Sequence, residues 1–181
     1  MVGYIDLDGT LLDTRAALFE SYSDAAAAYD ISIDQDLFNQ KCFGNRAEDF
    51  LLNFTADIRI IQAIKASKRL NYEKHFGKIK INQELLSQIF TAQHSKNYIF
   101  TNVESKVALN LLEVFGLKKH FPHVISIDQF KIPKPSRESI DYALTFLEND
   151  DAAIFYDDNE DLIQRVTDRG LHGVLIKISN S

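Results

Sequence analysis

The sequence predicts an α/β fold: a Rossmann-like parallel sheet with helices on both faces, interrupted by an inserted all-helical segment. Three observations carry this. From residue 82 onward, short apolar runs alternate with amphipathic stretches in the rhythm strand, helix, strand, helix. Residues 2–7 form one more apolar run, so the sheet draws on both ends of the chain. Between them, residues 14–82 carry helical spacing and no alternating strand pattern.

The first run is broken by Asp6 near its end, and Gly9 then allows a turn. Residues 14–29 place Leu18, Tyr22, Ala25, Ala26 and Tyr29 on one helical face; 36–41, 46–54 and 56–76 continue as helices, punctuated by Gly44 and Gly77. Helices are expected over 83–93, 106–115, 136–148 and 161–168, the second and last closed by Gly116 and Gly170. Strands are expected over 97–100, 124–127, 152–156 and 173–178. The division that follows is a core of residues 1–13 and 83–181, with a helical subdomain over 14–82.

Composition narrows the function classes. With 45% hydrophobic and 25% charged residues, the 181-residue chain is an ordinary globular one. A net charge of -6 argues against a nucleic-acid surface. The single cysteine, Cys42, excludes an intrachain disulfide and reads as a small buried side chain. No apolar run reaches the length of a membrane span and no signal peptide opens the chain, so a cytoplasmic protein is expected.

Ligands of an open parallel sheet bind at the carboxyl ends of its strands. Those ends carry Asp6 and Asp8, then Thr101 and Asn102, then Asp128 and Lys134, then Asp157 and Asp158. Crowded carboxylates call for a cation. The set suits phosphoryl transfer. One carboxylate can attack phosphorus, a second can protonate the leaving group, and a hard divalent ion, best Mg2+, can neutralise the transferring group. A hydroxyl and a lysine would hold the remaining phosphoryl oxygens.

Four ordered motifs make the sequence resemble the haloacid-dehalogenase-like hydrolase superfamily. They are Tyr4-Ile5-Asp6-Leu7-Asp8-Gly9-Thr10-Leu11-Leu12-Asp13, then Thr101-Asn102, Lys134-Pro135, and Asp157-Asp158 with Gly170 behind it. The resemblance implies a nucleophilic Asp6 that also ligates the metal and a general acid/base Asp8 with its carbonyl on the metal. It implies phosphate binding by Thr101, the backbone at Asn102 and Lys134, and completion of the metal site by Asp157 and Asp158. Thr10 and Asp13 would support the loop. In this superfamily a retained aspartate at the second position favours ester hydrolysis or a phosphomutase over dehalogenation. The fourth motif admits two registers, with either Asp158 or Asp161 as the second acid; spacing to Gly170 favours Asp158.

The inserted helices resemble the small cap of family members, which excludes water and selects substrate. Arg46, beside Gly44, could meet a substrate's anionic or hydroxyl groups or simply face solvent. Lys65, Lys68 and Arg69 read as a solvated helix face. The reading that results is a Mg2+-dependent hydrolase of a small phosphorylated metabolite working through an aspartyl-phosphate. A phosphomutase or a non-catalytic phosphate-binding module are the alternatives.

Overall fold

A computed structural model describes residues 1–42, 47–92, 94–148 and 152–178. In chain order the elements are β1 (Val2–Ile5), β2 (Leu12–Asp13), α1 (Arg15–Ala27), α2 (Gln35–Lys41), α3 (Ala47–Leu51), α4 (Ile58–Asn71), a 3-10 stretch (Tyr72–Lys78) and β3 (Lys80–Ile81). Then come α5 (Gln83–Thr91), β4 (Lys96–Thr101), α6 (Ser105–Val114), β5 (His123–Ser126), α7 (Arg137–Leu144), β6 (Ala153–Asp157), α8 (Glu160–Thr167) and β7 (His172–Leu175). The chain separates into two compact units, 1–13 with 81–181, and 14–80.

The first unit is a five-stranded sheet in the order β5-β4-β1-β6-β7, and every neighbouring pair is parallel. The apolar run at the N-terminus forms the central strand because every residue of β1 is buried, which only a strand covered on both faces requires. On one face Tyr4 stacks on Phe155 with ring centroids 4.7 Å apart, and on Tyr98 at 5.5 Å. Its hydroxyl donates to the Ala143 carbonyl at 2.8 Å, fixing the strand that leads to Asp6 against α7. Val2, Phe100, Ile140, Leu162 and Val166 complete this core. Parallel pairing sends all strands toward one edge, so Asp6, Thr101, Ser126 and Asp157 emerge together there.

The second unit packs α1 to α4 around Tyr22, Phe38, Phe50, Ile61 and Ile64, with Phe38 and Phe50 edge-on at 5.7 Å. Three local expectations change here. Residues 72–78 tighten into a 3-10 stretch instead of extending α4; within it His75 Nε2 lies 2.8 Å from Asp24 Oδ2 on α1. A short strand, β3, follows where no strand was expected. Finally, Lys65 and Lys68 are not a solvated face. Lys65 pairs with Glu48, and Lys68 lies over the Tyr72 and Tyr22 rings at 4.8 and 5.3 Å, because an aliphatic stem with a cationic tip suits aromatic faces. The thiol of half-buried Cys42 is pushed up to about 12 by burial. Among the described residues no helix is long and apolar enough to cross a membrane.

Candidate active site

Asp6 is the first residue after β1, and its N–H donates to the Tyr156 carbonyl at 2.9 Å, continuing the ladder one step past the strand. The chain then closes on itself. Leu12 N–H donates to the Leu7 carbonyl at 2.8 Å and Gly9 N–H to the Leu12 carbonyl at 2.8 Å. Asn82 Nδ2 donates to the Thr10 carbonyl at 3.0 Å. Such internal bonding holds the Asp6 and Asp8 side chains on a rigid loop rather than a mobile one. Asp6 itself is only 7% exposed, and Asp8 is half-buried.

Gly9 is required twice over. Its φ of +83° is left-handed, and a Cβ there would stand 2.4 Å from Asp158 Oδ2. Gly9→Ala should therefore cost about 1–2 kcal/mol in backbone strain and also push the Asp158 carboxyl away. Thermal melts are expected to show a lower melting point and a smaller upward shift on adding a divalent cation; an unchanged cation response would show that Gly9 does not govern Asp158.

Lys134 occupies the centre of the site. Its Nζ donates to Asp157 Oδ2 at 2.6 Å, Asp6 Oδ1 at 2.7 Å and the Phe100 carbonyl at 2.8 Å. An ammonium has three N–H donors, so each is used. Burial alone would lower its pKa, but the Asp157 and Asp6 carboxylates outweigh burial and raise it, so Lys134 stays charged. Asp157 is pushed up by burial, pulled down by Lys134 and pushed up again by Asp6, coming to about 6. Asp158 reaches about 7 through burial of its carboxyl and the charges of Asp6 and Asp157. As a residue Asp158 is exposed, yet its carboxyl lies over Gly9, which explains why it still feels the crowding.

Folded pKa values above the ordinary 3.8 mean that the folded chain binds more protons than the unfolded one over that window. These two carboxyls therefore favour folding most below about pH 4, and that contribution is lost as pH rises through 6 to 7. Melts of the metal-free protein should fall across this range, and a saturating divalent cation should flatten the fall; a flat metal-free profile would contradict the crowding.

Asp6, Asp157 and Asp158 offer carboxylate oxygens within 4.8 Å of one another. Oxygen donors at this spacing fit a hard divalent cation, and the weakened acidities of Asp157 and Asp158 mark burial and mutual repulsion that such an ion would offset. Asp161 is exposed on the first turn of α8 and stays outside the cluster. Asp128, just past the end of β5, also stands apart from this group. Its Oδ2 accepts the Ser105 N–H at 2.7 Å at the start of α6, and that bond holds its carboxyl below the usual range.

Thr101 is buried, and its Oγ1 accepts the Val103 N–H at 3.2 Å. Arg46 lies outside the described residues. Two groups escaped sequence reasoning. Asn159 caps α8, accepting the Leu162 N–H at 3.0 Å, while its own N–H donates to Asp157 Oδ1 at 2.9 Å. The Asn-x-x-Leu spacing before an apolar helix face was the available signal for the cap. The Phe100 carbonyl, which anchors Lys134, has no sequence signature.

A sequence model described as haloacid dehalogenase-like hydrolase matches residues 5–164. No curated protein sequence matches the chain. Among solved structures, a predicted phosphoglycolate phosphatase from Haemophilus somnus aligns with a TM-score of 0.80 at 18% identity, covering 97% of this chain and 84% of that one. CbbY from Rhodobacter sphaeroides, solved in complex with phosphate, aligns at 0.77 with 16% identity, covering 98% and 86%. A Thermotoga maritima protein described as a β-phosphoglucomutase aligns at 0.69 with 20% identity, covering 99% and 88%. At these identities the structural likeness shows the fold.

Proposed function

The chain belongs to the haloacid dehalogenase-like hydrolases, and from that premise we propose that it hydrolyses phosphate monoesters of small metabolites with Mg2+ bound at Asp6, Asp157 and Asp158. The observation that carries this is the grouping of a buried aspartate, two further carboxylates and a fully engaged lysine at the sheet's carboxyl edge.

In the proposed reaction a carboxylate oxygen of Asp6 attacks phosphorus, the ester P–O bond breaks, and Asp8 gives its proton to the departing alkoxide. Water then attacks the aspartyl-phosphate, Asp8 takes the water's proton, and the P–O bond to Asp6 breaks. Alcohol and inorganic phosphate are the products, and Asp6 is regenerated. The bound cation supplies charge neutralisation for the transferring group. Thr101 and the backbone at Asn102 hold phosphoryl oxygens. Lys134 organises the Asp6 and Asp157 carboxylates, and it meets phosphate only by releasing one of its three present acceptors.

The helical unit 14–80, inserted after the Asp6 loop, has the chain position of a substrate-selecting cap, and Arg46 is assigned as a substrate contact on its sequence position. Phosphate and xylulose-(1,5)bisphosphate complexes of the Rhodobacter protein support a small phosphorylated substrate for this chain as well. The test is a panel of sugar phosphates, nucleotides and phospho-acids, assayed with and without Mg2+. Metal-dependent phosphate release supports the proposal. Isomerisation of a sugar phosphate without release would replace it with a phosphomutase, and phosphate binding without turnover with a binding module.

A further inference from the structure

We infer that Asn102 is a positioning residue for Lys134, its side-chain amide fixing the lysine's backbone so that Nζ falls between Asp6 and Asp157. The loop between β5 and α7 supplies no strand or helix to hold Lys134 among its described residues. Lys134 is also flanked by Pro133 and Pro135, neither of which has an N–H, so its own N–H is the sole backbone donor of residues 133–135. Asn102 Oδ1 accepts that N–H at 2.8 Å, and Asn102 Nδ2 donates to the Lys134 carbonyl at 3.1 Å.

Bonding both the N–H and the C=O of one residue is what a partner residue on an antiparallel strand does. One side chain here replaces a strand. Asn102 follows directly after Thr101, the last residue of β4, and the Phe100 carbonyl on the same strand accepts from Lys134 Nζ at 2.8 Å. The end of β4 thus grips Lys134 at both ends, by its backbone and by its ammonium. With its amide oxygen and nitrogen engaged on Lys134, the Asn102 side chain acts on the reaction through the lysine.

This inference rests on the proposed hydrolase reading for its activity arm alone. The first measurement needs no turnover. Lysines are acylated with a limiting amine-reactive reagent and read by peptide mass spectrometry, in the wild type, Asn102→Ala and Asn102→Asp. Loss of two ordinary hydrogen bonds corresponds to about 5- to 150-fold. Lys134 should label faster by that factor in Asn102→Ala and by less in Asn102→Asp, which keeps an acceptor for the Lys134 N–H. Lys65 and Lys106 should label equally in all three. Equal Lys134 labelling in the wild type and both variants would overturn the inference.

The second measurement is a double-mutant cycle on kcat/KM for phosphate release. Asn102→Ala should lose about tenfold alone and nothing further in a Lys134→Met background, because its effect runs through the lysine. Additive losses would show that Asn102 acts on substrate directly and would also overturn it. A wild type without phosphatase activity would sink the hydrolase proposal, while the labelling result still decides the role of Asn102. Should Asn102→Ala not fold, Asn102→Asp carries both measurements.

Discussion

Replacing Asp6 with asparagine is expected to lower Mg2+-dependent phosphate release by roughly 10^4-fold or more while the protein remains folded. An amide is nearly the same shape as the carboxylate but is no nucleophile toward phosphorus. Its oxygen can still accept from Lys134, which now meets Asp6 Oδ1 at 2.7 Å. One negative charge also leaves the cluster that pushes Asp157 and Asp158 upward, so the metal-free melting point should hold or rise. The stabilisation conferred by Mg2+ should shrink, since one of the three grouped carboxylates is gone. Phosphate release and melting with and without Mg2+ check this. Retention of substantial turnover in Asp6→Asn would remove Asp6 from the nucleophile's role.

The second large effect is expected at Lys134. Lys134→Met keeps the aliphatic length but removes the cation from between two buried carboxylates, whose side chains are 9% and 4% exposed. Breaking a buried ion pair from one side costs about 3–5 kcal/mol, because the remaining charge is left uncompensated. The cost has a pH signature. Asp157 already stands near 6 with the lysine present, and without it this carboxyl moves higher, so the folded state takes up protons. The deficit should be large at pH 8 in a chelator, shrink as the solution is acidified, and shrink again when Mg2+ is added. Denaturant unfolding at both pH values measures it. A variant as stable as the wild type at pH 8 without metal would show that Lys134 is not the counter-charge of this pair.

The sheet was legible because strands covered on both faces appear as unbroken apolar runs, as at Val2–Ile5 and Ala153–Asp157. The Asp6 loop was legible because it combines a strand end, an acid pair and a glycine in one short stretch. Of the two acids that spacing offered beside Asp157, Asp158 lies in the carboxylate group with Asp6, and Asp161 is exposed on the first turn of α8. Side-chain direction was not legible. Asp128 follows β5 just as Asp157 ends β6, yet it turns to the start of α6 because a helix N-terminus competes for carboxylates. Backbone partners were equally hidden: nothing in the identity of Phe100 announces that its carbonyl receives Lys134, and nothing in Asn102 marks a tie to a residue 32 positions away. Helix ends were blurred for a related reason, α7 stopping at Leu144 where local pattern ran on to residue 148.

The central position of β1 carries a consequence for how the protein is made. Val2–Ile5 pairs with residues beginning at Lys96 on one side and Ala153 on the other. During synthesis the helical unit 14–80 can close its own contacts early. The strand leading to Asp6 must meanwhile wait, apolar and unpaired, until β4 and β6 have left the ribosome. Contacts of such long sequence separation form late and slowly, and an unpaired apolar strand is open to association with other chains in the interval. The nascent protein is thus most vulnerable in a segment whose residues all become buried, and the grouping of Asp6, Asp157 and Asp158 is incomplete until Asp158 has been added.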